Sequence, residues 1–146
     1  MQRRELATVT IMIIQGPHTT ARSLSKELLS HLKQLALPAG RTVEVCTCQG
    51  LREFVARVRT ARPQTTEFML LAPGNLTEQV LAHPEAGLGD ALSSLGMPYI
   101  EVQDDCDAAL ESDVSMNGPL ATVVINGDMG ASYRIALGIA LRRLSA

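Results

Sequence analysis

Short apolar runs alternate with amphipathic stretches along this chain. The runs are Val9–Ile14, Thr42–Val45, Phe68–Leu71, Tyr99–Val102 and Ala121–Ile125. Runs of this length and character predict strands covered on both faces, as parallel strands are. Between them the apolar positions take helical spacing. Leu24, Leu28, Leu32 and Leu35 recur at four, four and three residues, with Ser23 as the candidate N-cap. Leu51, Phe54, Val55 and Val58 form a second stripe after Gly50. Leu88, Ala91, Leu92 and Leu95 form a third, stopped by Gly96 and Pro98. Ile135, Ile139 and Arg142–Leu144 mark a fourth, which closes the chain. The order β-α-β-α-β-α-β-loop-β-α implies an open, doubly wound parallel sheet of five strands with helices on both faces.

Two segments break this rhythm. Asn75–Pro84 is polar and then mixed. Asp104–Gly118 is acidic and reads for the most part as a solvated loop. No repeat, low-complexity tract or linker divides the 146 residues, so the expectation is a single domain spanning 1–146, with residues 1–8 an N-terminal arm. A hydrophobic fraction of 46% against 19% charged residues is enough to build a core. Thirteen Lys+Arg against fifteen Asp+Glu leave a net charge of -2, which argues against nucleic acid as a partner. Aromatics at 3% and no Trp leave no stacking platform for bases.

Cys46, Cys48 and Cys106 give an odd count with no leader-like stretch ahead, which points to a reducing, cytoplasmic setting. Cys46-Thr47-Cys48 is a C-x-C with no second Cys/His cluster, so no metal is expected. On a strand its two thiols share one face and read as small, soft core groups. No run approaches the length of a membrane span.

In a doubly wound sheet ligands sit outside the carboxyl ends of the strands. That rule gathers Gln15-Gly16-Pro17-His18, Ala72-Pro73-Gly74-Asn75, Gln103-Asp104-Asp105 and Asn126-Gly127-Asp128 into one crevice. The glycines of Asn126–Gly130 lack both the dinucleotide fingerprint and the phosphate-loop lysine, and read as a tight strand-to-helix turn. His18, at a strand end after Gly-Pro, is the candidate general acid or base. His31 falls within a helix and His83 in a polar segment, and both read as structural or exposed.

Four motifs in order resemble one family. "IMIIQGPH" is similar to a first strand ending in Asn-Gly-Pro-Asn, and "LLAPGNLT" to Asn-Pro-Gly-Ala-Tyr-Thr-His. "GDAL" followed by "MPYIEV" is similar to Arg-Asp-Ala-Leu followed by Pro-x-x-Glu-Val-His. "ATVVINGDMGASYRIALGIAL" is similar to the last strand, turn and helix. Together, from about Val9 to Leu141, the chain resembles the type II 3-dehydroquinate dehydratases. The resemblance implies a flavodoxin-like fold, a cofactor-independent elimination of water and a homo-oligomer built from trimers, up to a dodecamer. It also implies a tyrosinate base on a lid, an arginine that activates it, a water-holding Asn and an acid His.

Here the sequence departs from that pattern. The lid is shortened to about His18–Arg22 and carries no Tyr; Ala72 stands for the Asn and Gln103 for the acid His. Glu78 stands for the His after Thr, and Asp105-Cys106 for Ser-Asn. The resemblance makes His18, Glu78 and Gln103 the candidate catalytic set. It makes Gln15, Gly74, Asn75, Thr77, Asp90, Asp104 and Asp105 the candidate substrate contacts. The expected activity is acid/base chemistry on a small carbonyl compound by a repurposed lyase, isomerase or cyclase without cofactor. The alternatives are a non-catalytic binding or scaffold oligomer, and a true dehydratase with its base supplied from elsewhere.

Overall fold

The computed structural model describes residues 10–17, 24–103 and 119–145. Five strands carry the fold: β1 (Thr10–Gln15), β2 (Thr42–Thr47), β3 (Thr66–Ala72), β4 (Tyr99–Gln103) and β5 (Ala121–Val124). All neighbours pair in parallel, in the order β2-β1-β3-β4-β5. This is the flavodoxin-like order. The helices are α1 (Lys26–Ala36), α2 (Leu51–Thr60), α3 (Thr77–Ala82), α4 (Leu88–Ser93) and α5 (Met129–Ser145).

The strand period of two sends alternate residues to two separate cores. On one face Ile11, Ile13, Phe68, Leu70, Ile100, Val102 and Val123 pack under Leu32 and Ala36 of α1 and Tyr133, Ala136 and Leu137 of α5. On the other, Ile14, Met69, Leu71 and Tyr99 pack under Phe54, Val55 and Val58 of α2, Val80 of α3, and Leu88, Ala91 and Leu92 of α4. Central strands are buried on both faces, which explains their apolar runs. β2 is an edge strand, and its Thr42 and Glu44 are exposed.

Several helix assignments shift. Ser25, not Ser23, caps α1: its hydroxyl accepts from the Leu28 N–H at 3.1 Å, while Ser23 lies outside the described residues. Leu35 is 42% exposed, because the buried stripe of α1 ends on Leu32 and Ala36. α4 stops at Ser93, so Leu95 follows the helix and packs from the turn beyond it. On α5, Ile135 is 45% exposed, and the buried face is Met129, Ser132, Tyr133, Ala136, Leu137 and Ala140. Small residues on that face let the helix lie close to the sheet, so alanines and not the isoleucine point inward. The segment Asn75–Pro84 contains α3, a six-residue helix anchored by Val80 and by Leu76 immediately before it. Residues 1–9 and most of the acidic segment lie outside the described residues.

Candidate functional site

The carboxyl ends of β1 and β3 are drawn together by backbone bonds. The Gly16 N–H donates to the Ala72 carbonyl at 2.8 Å, and the Asn75 N–H to the Pro17 carbonyl at 2.9 Å. A Cβ on Gly16 would collide with the Pro73 carbonyl oxygen and lie 2.9 Å from a Leu76 methyl, so only glycine permits this approach. Gly74 sits beside it with φ of 60°, in the left-handed region.

Gln15 is buried at the end of β1 and is tied on every side. Its Nε2 donates to the Thr47 Oγ1 at 2.9 Å, and its Oε1 accepts from the Leu24 N–H at 3.4 Å. Its carbonyl accepts from the Cys48 N–H at 2.8 Å. The side chain thus fixes the edge strand and the entry to α1, which accounts for a polar group at a buried position.

A second polar centre lies on β4. Gln103 and Glu101 are both buried, and the Gln103 Nε2 donates to the Glu101 Oε2 at 3.0 Å. Residues two apart on a strand share a face, and this one is the face of Met69, Leu71 and Tyr99. Thr122 of β5 stands opposite Glu101 in the register. The Ser132 hydroxyl donates to the Gln103 carbonyl at 2.7 Å and accepts from the Ile125 N–H at 2.9 Å, locking the ends of β4 and β5 to α5. The Asp128 Oδ1 accepts from the Ala131 N–H at 2.9 Å, which caps α5. Gly127, with φ of 76°, turns the chain into that helix. Gly127 serves the turn, as the sequence predicts, whereas Gly130 lies in the first turn of α5.

The structure therefore brings Gln15, Gly74, Asn75 and Gln103 to one end of the sheet. Asn75 is exposed on the rim, and Thr77 and Glu78 open α3. Glu78 is exposed, and nothing among the described residues holds its side chain. Asp90 is exposed in the first turn of α4, with no bond from its carboxylate to the crevice among the described residues. His18, Asp104 and Asp105 lie outside the described residues. His31 is exposed on α1, and His83 pairs with Glu85 at 3.0 Å on the surface. A backbone hydrogen bond at Glu85 itself, and after it the His83 contact, hold the Glu85 carboxyl below its ordinary value.

Two groups were not foreseen from the sequence. Glu101 is one; a lone carboxylate inside an otherwise apolar strand was the available signal. Ser132 is the other, and a serine facing the sheet from an alanine-rich helix gave little warning. No group of three His, Cys, Asp or Glu side chains among the described residues could hold a metal ion.

Burial governs the thiols. Cys48 is fully buried, and desolvation pushes its thiol up to about 12, with neighbouring Cys46 and Glu53 adding in the same direction. Both cysteines pack in the α2 and α4 core, as soft apolar groups do.

Comparison with known proteins gives a consistent result. No family model matches the chain. A 3-dehydroquinate dehydratase from Stenotrophomonas maltophilia is 32% identical over 131 residues, covering 88% of this chain and 83% of that one. Another from Nitrosomonas europaea is 28% identical over 149 residues, covering 91% and 97%. The crystal structure of a type II dehydroquinase from Propionibacterium acnes superposes with a TM-score of 0.68 at 22% identity, covering 92% of this chain and 99% of that one. No helix among the described residues is long and apolar enough to cross a membrane.

Proposed function

The chain belongs to the type II 3-dehydroquinate dehydratase family, and from that premise we propose that it is a repurposed member. Its proposed task is acid/base chemistry on a small carbonyl compound, without cofactor and with little turnover of 3-dehydroquinate. The observation that carries this reading is the Gln103–Glu101 pair at 3.0 Å. The resemblance places an imidazole where Gln103 stands. A carboxamide neither gives nor takes a proton near neutral pH, so it positions and does not titrate. Its nitrogen donates to Glu101, which fixes the orientation of the carboxamide at the end of β4.

Proton transfer then falls to His18 and Glu78. An imidazole titrates near neutral pH, and an exposed carboxylate is free to meet it. Asn75 and Thr77 fit a carbonyl or carboxylate of the ligand, with Gly74 allowing close approach of the backbone. Asp104, Asp105 and Asp90 are proposed as further contacts. A short lid leaves room for a different or larger substrate. The working form is proposed to be a cytoplasmic homo-oligomer built from trimers, up to a dodecamer.

Removing a positioned acid or base costs about 10²–10⁴ in rate per group. A chain without the lid tyrosine and the acid histidine is therefore expected to fall at least 10⁴ below a working dehydratase. The test is turnover of 3-dehydroquinate, read by ultraviolet absorbance of the enone product. Absence of turnover supports the reading. Clear turnover overturns it and assigns the parent reaction to this chain. With a substrate in hand, His18→Ala and Glu78→Gln separate catalyst from scaffold: both variants lose turnover with the fold intact in the first case, and neither has a measurable effect in the second.

A further inference from the structure

An irregularity at the start of β3 turns one hydroxyl away from its regular face. Thr10 of β1 stands opposite Thr66, yet the next residue, Ile11, stands opposite Phe68, so β3 carries one extra residue at this point. Regular alternation would send Thr66 to the face of Phe68, under α1 and α5. The bulge re-aims it to the opposite face. There Thr66, 4% exposed, lines two adjoining cavities of about 400 and 160 Å³, and its side chain has no hydrogen-bond partner among the described residues. Buried polar groups are nearly always paired, so a hydroxyl aimed into a cavity without a protein partner calls for one from outside the chain.

The two cavities form a trough at the amino ends of the strands, about 16 Å along β1 from Gln15 and the crevice. Its two parts carry opposite charge. Glu44 lines the larger cavity; Arg57 and Arg62 line the smaller. Glu44 and Arg57 are exposed and form no ion pair among the described residues, and an Arg62 nitrogen donates to the Arg59 carbonyl at 3.3 Å. Met12 lines both cavities, and Ile14 and Ala61 add apolar surface to the smaller. At the arginine end the Thr60 and Thr65 hydroxyls donate to the Arg57 and Arg62 carbonyls, at 3.2 and 3.3 Å. The guanidiniums and Thr66 are therefore the side-chain donors left to a ligand there.

We propose that this trough binds a small zwitterion, its carboxylate on Arg57, Arg62 and Thr66 and its ammonium on Glu44, with a short apolar spacer between. Charge selects this class. A dianion sets its second charge against Glu44, and a diamine sets one of its charges against the arginines. Spacing narrows the class further. Glu44 and Cys46 are two residues apart on β2, about 6.6 Å. Cys46 lines the smaller cavity together with Arg57. An ω-amino acid of that span meets both charges, and glycine does not.

The test is calorimetric titration of the full chain with ε-aminocaproate, caproate, hexylamine and glycine. The ε-aminocaproate is expected to bind saturably and to lose affinity as salt is added. Removing either charge from this ligand is expected to weaken binding about two- to fivefold, the range of exposed ion pairs, and glycine is expected to bind least. Glu44→Gln and Arg57→Gln alter exposed side chains outside the crevice, and circular dichroism checks their fold. E44Q should abolish the advantage of ε-aminocaproate over caproate, and R57Q its advantage over hexylamine. Thr66→Val keeps the shape, removes the hydroxyl and should weaken both carboxylates. Absence of saturable ε-aminocaproate binding overturns the proposal. So does caproate that binds as tightly as the zwitterion, and so do folded variants that keep the wild-type affinities. None of these readouts depends on turnover, so the outcome is separate from that of the dehydroquinate assay.

Discussion

The two faces of the sheet differ in what they bury. Under α1 and α5 the buried side chains are mostly aliphatic or aromatic, with Gln15 at the end of β1, Ser132 and the Tyr133 hydroxyl as polar exceptions. Under α2, α3 and α4 the sheet buries a carboxylate and a carboxamide of β4 among the apolar groups, with the Cys48 thiol buried just past β2 and Cys46 half-buried beside it. Strand alternation makes this possible, since one strand supplies both faces. β4 sends Ile100 and Val102 to the first face and Tyr99, Glu101 and Gln103 to the second. The first face carries most of the large apolar core, and the second carries the buried carboxylate–carboxamide pair of β4.

The largest expected effect is on the first face. Phe68 is fully buried there, and Phe68→Ala should lower unfolding free energy by about 3–5 kcal/mol, read by urea denaturation. A loss under 1 kcal/mol would show that this face does not dominate stability. On the second face, Glu101→Ala deprives the buried Gln103 amide of an acceptor and should cost about 1–3 kcal/mol. Replacing both with apolar residues of similar size, as in E101M/Q103M, should cost less than the single alanine. If the pair were needed for the fold itself, the double variant would be the worse of the two.

Alkaline titration sharpens the contrast, because each face holds one acid that burial keeps neutral. The Cys48 thiol is raised to about 12 and the Tyr133 phenol is raised further, in both cases chiefly by desolvation. A group whose folded pKa exceeds its unfolded value contributes stability below the unfolded value and loses it as pH climbs toward the folded one. Stability should therefore fall from about pH 9 for Cys48 and from about pH 10 for Tyr133. Cys48→Ala should flatten the earlier part of the decline and Tyr133→Phe the later part, measured as urea midpoints between pH 7 and 11. At neutral pH, Tyr133→Phe should have the smallest effect, within about 1 kcal/mol and stabilising in sign, since the buried hydroxyl has no hydrogen-bond partner among the described residues. A marked loss would reveal a partner for that hydroxyl.

Strands and topology were legible because the central strands are buried on both faces and leave apolar runs. The stripe of α2 was legible for the same reason, in its large apolar side chains, and that of α1 as far as Leu32, beyond which Ala36 and not Leu35 points inward. α5 was misread at Ile135 because close packing favours alanine, which a search for bulky residues overlooks. α3 was missed because six residues with two anchors make no sustained pattern. The crevice was placed by the strand-end rule, and Gln15 and Gln103 do lie there. What the rule does not give is hydrogen-bond partnership. It does not distinguish a glutamine that braces an edge, such as Gln15, from one whose amide is set by a buried carboxylate, such as Gln103.

β1 is the first described strand in the chain and sits inside the sheet, between β2 and β3. Ile13 meets Val45 on one side and Leu70 on the other, and Leu70 comes 57 positions later. Ribosomes add about 5–20 residues each second, so roughly 3–11 s of synthesis separate this strand from its second neighbour. Through that interval an apolar, β-branched segment waits near the ribosome with one flank or both uncovered. Placing this strand inside a parallel sheet exposes it to wrong partners during synthesis, until its second neighbour emerges.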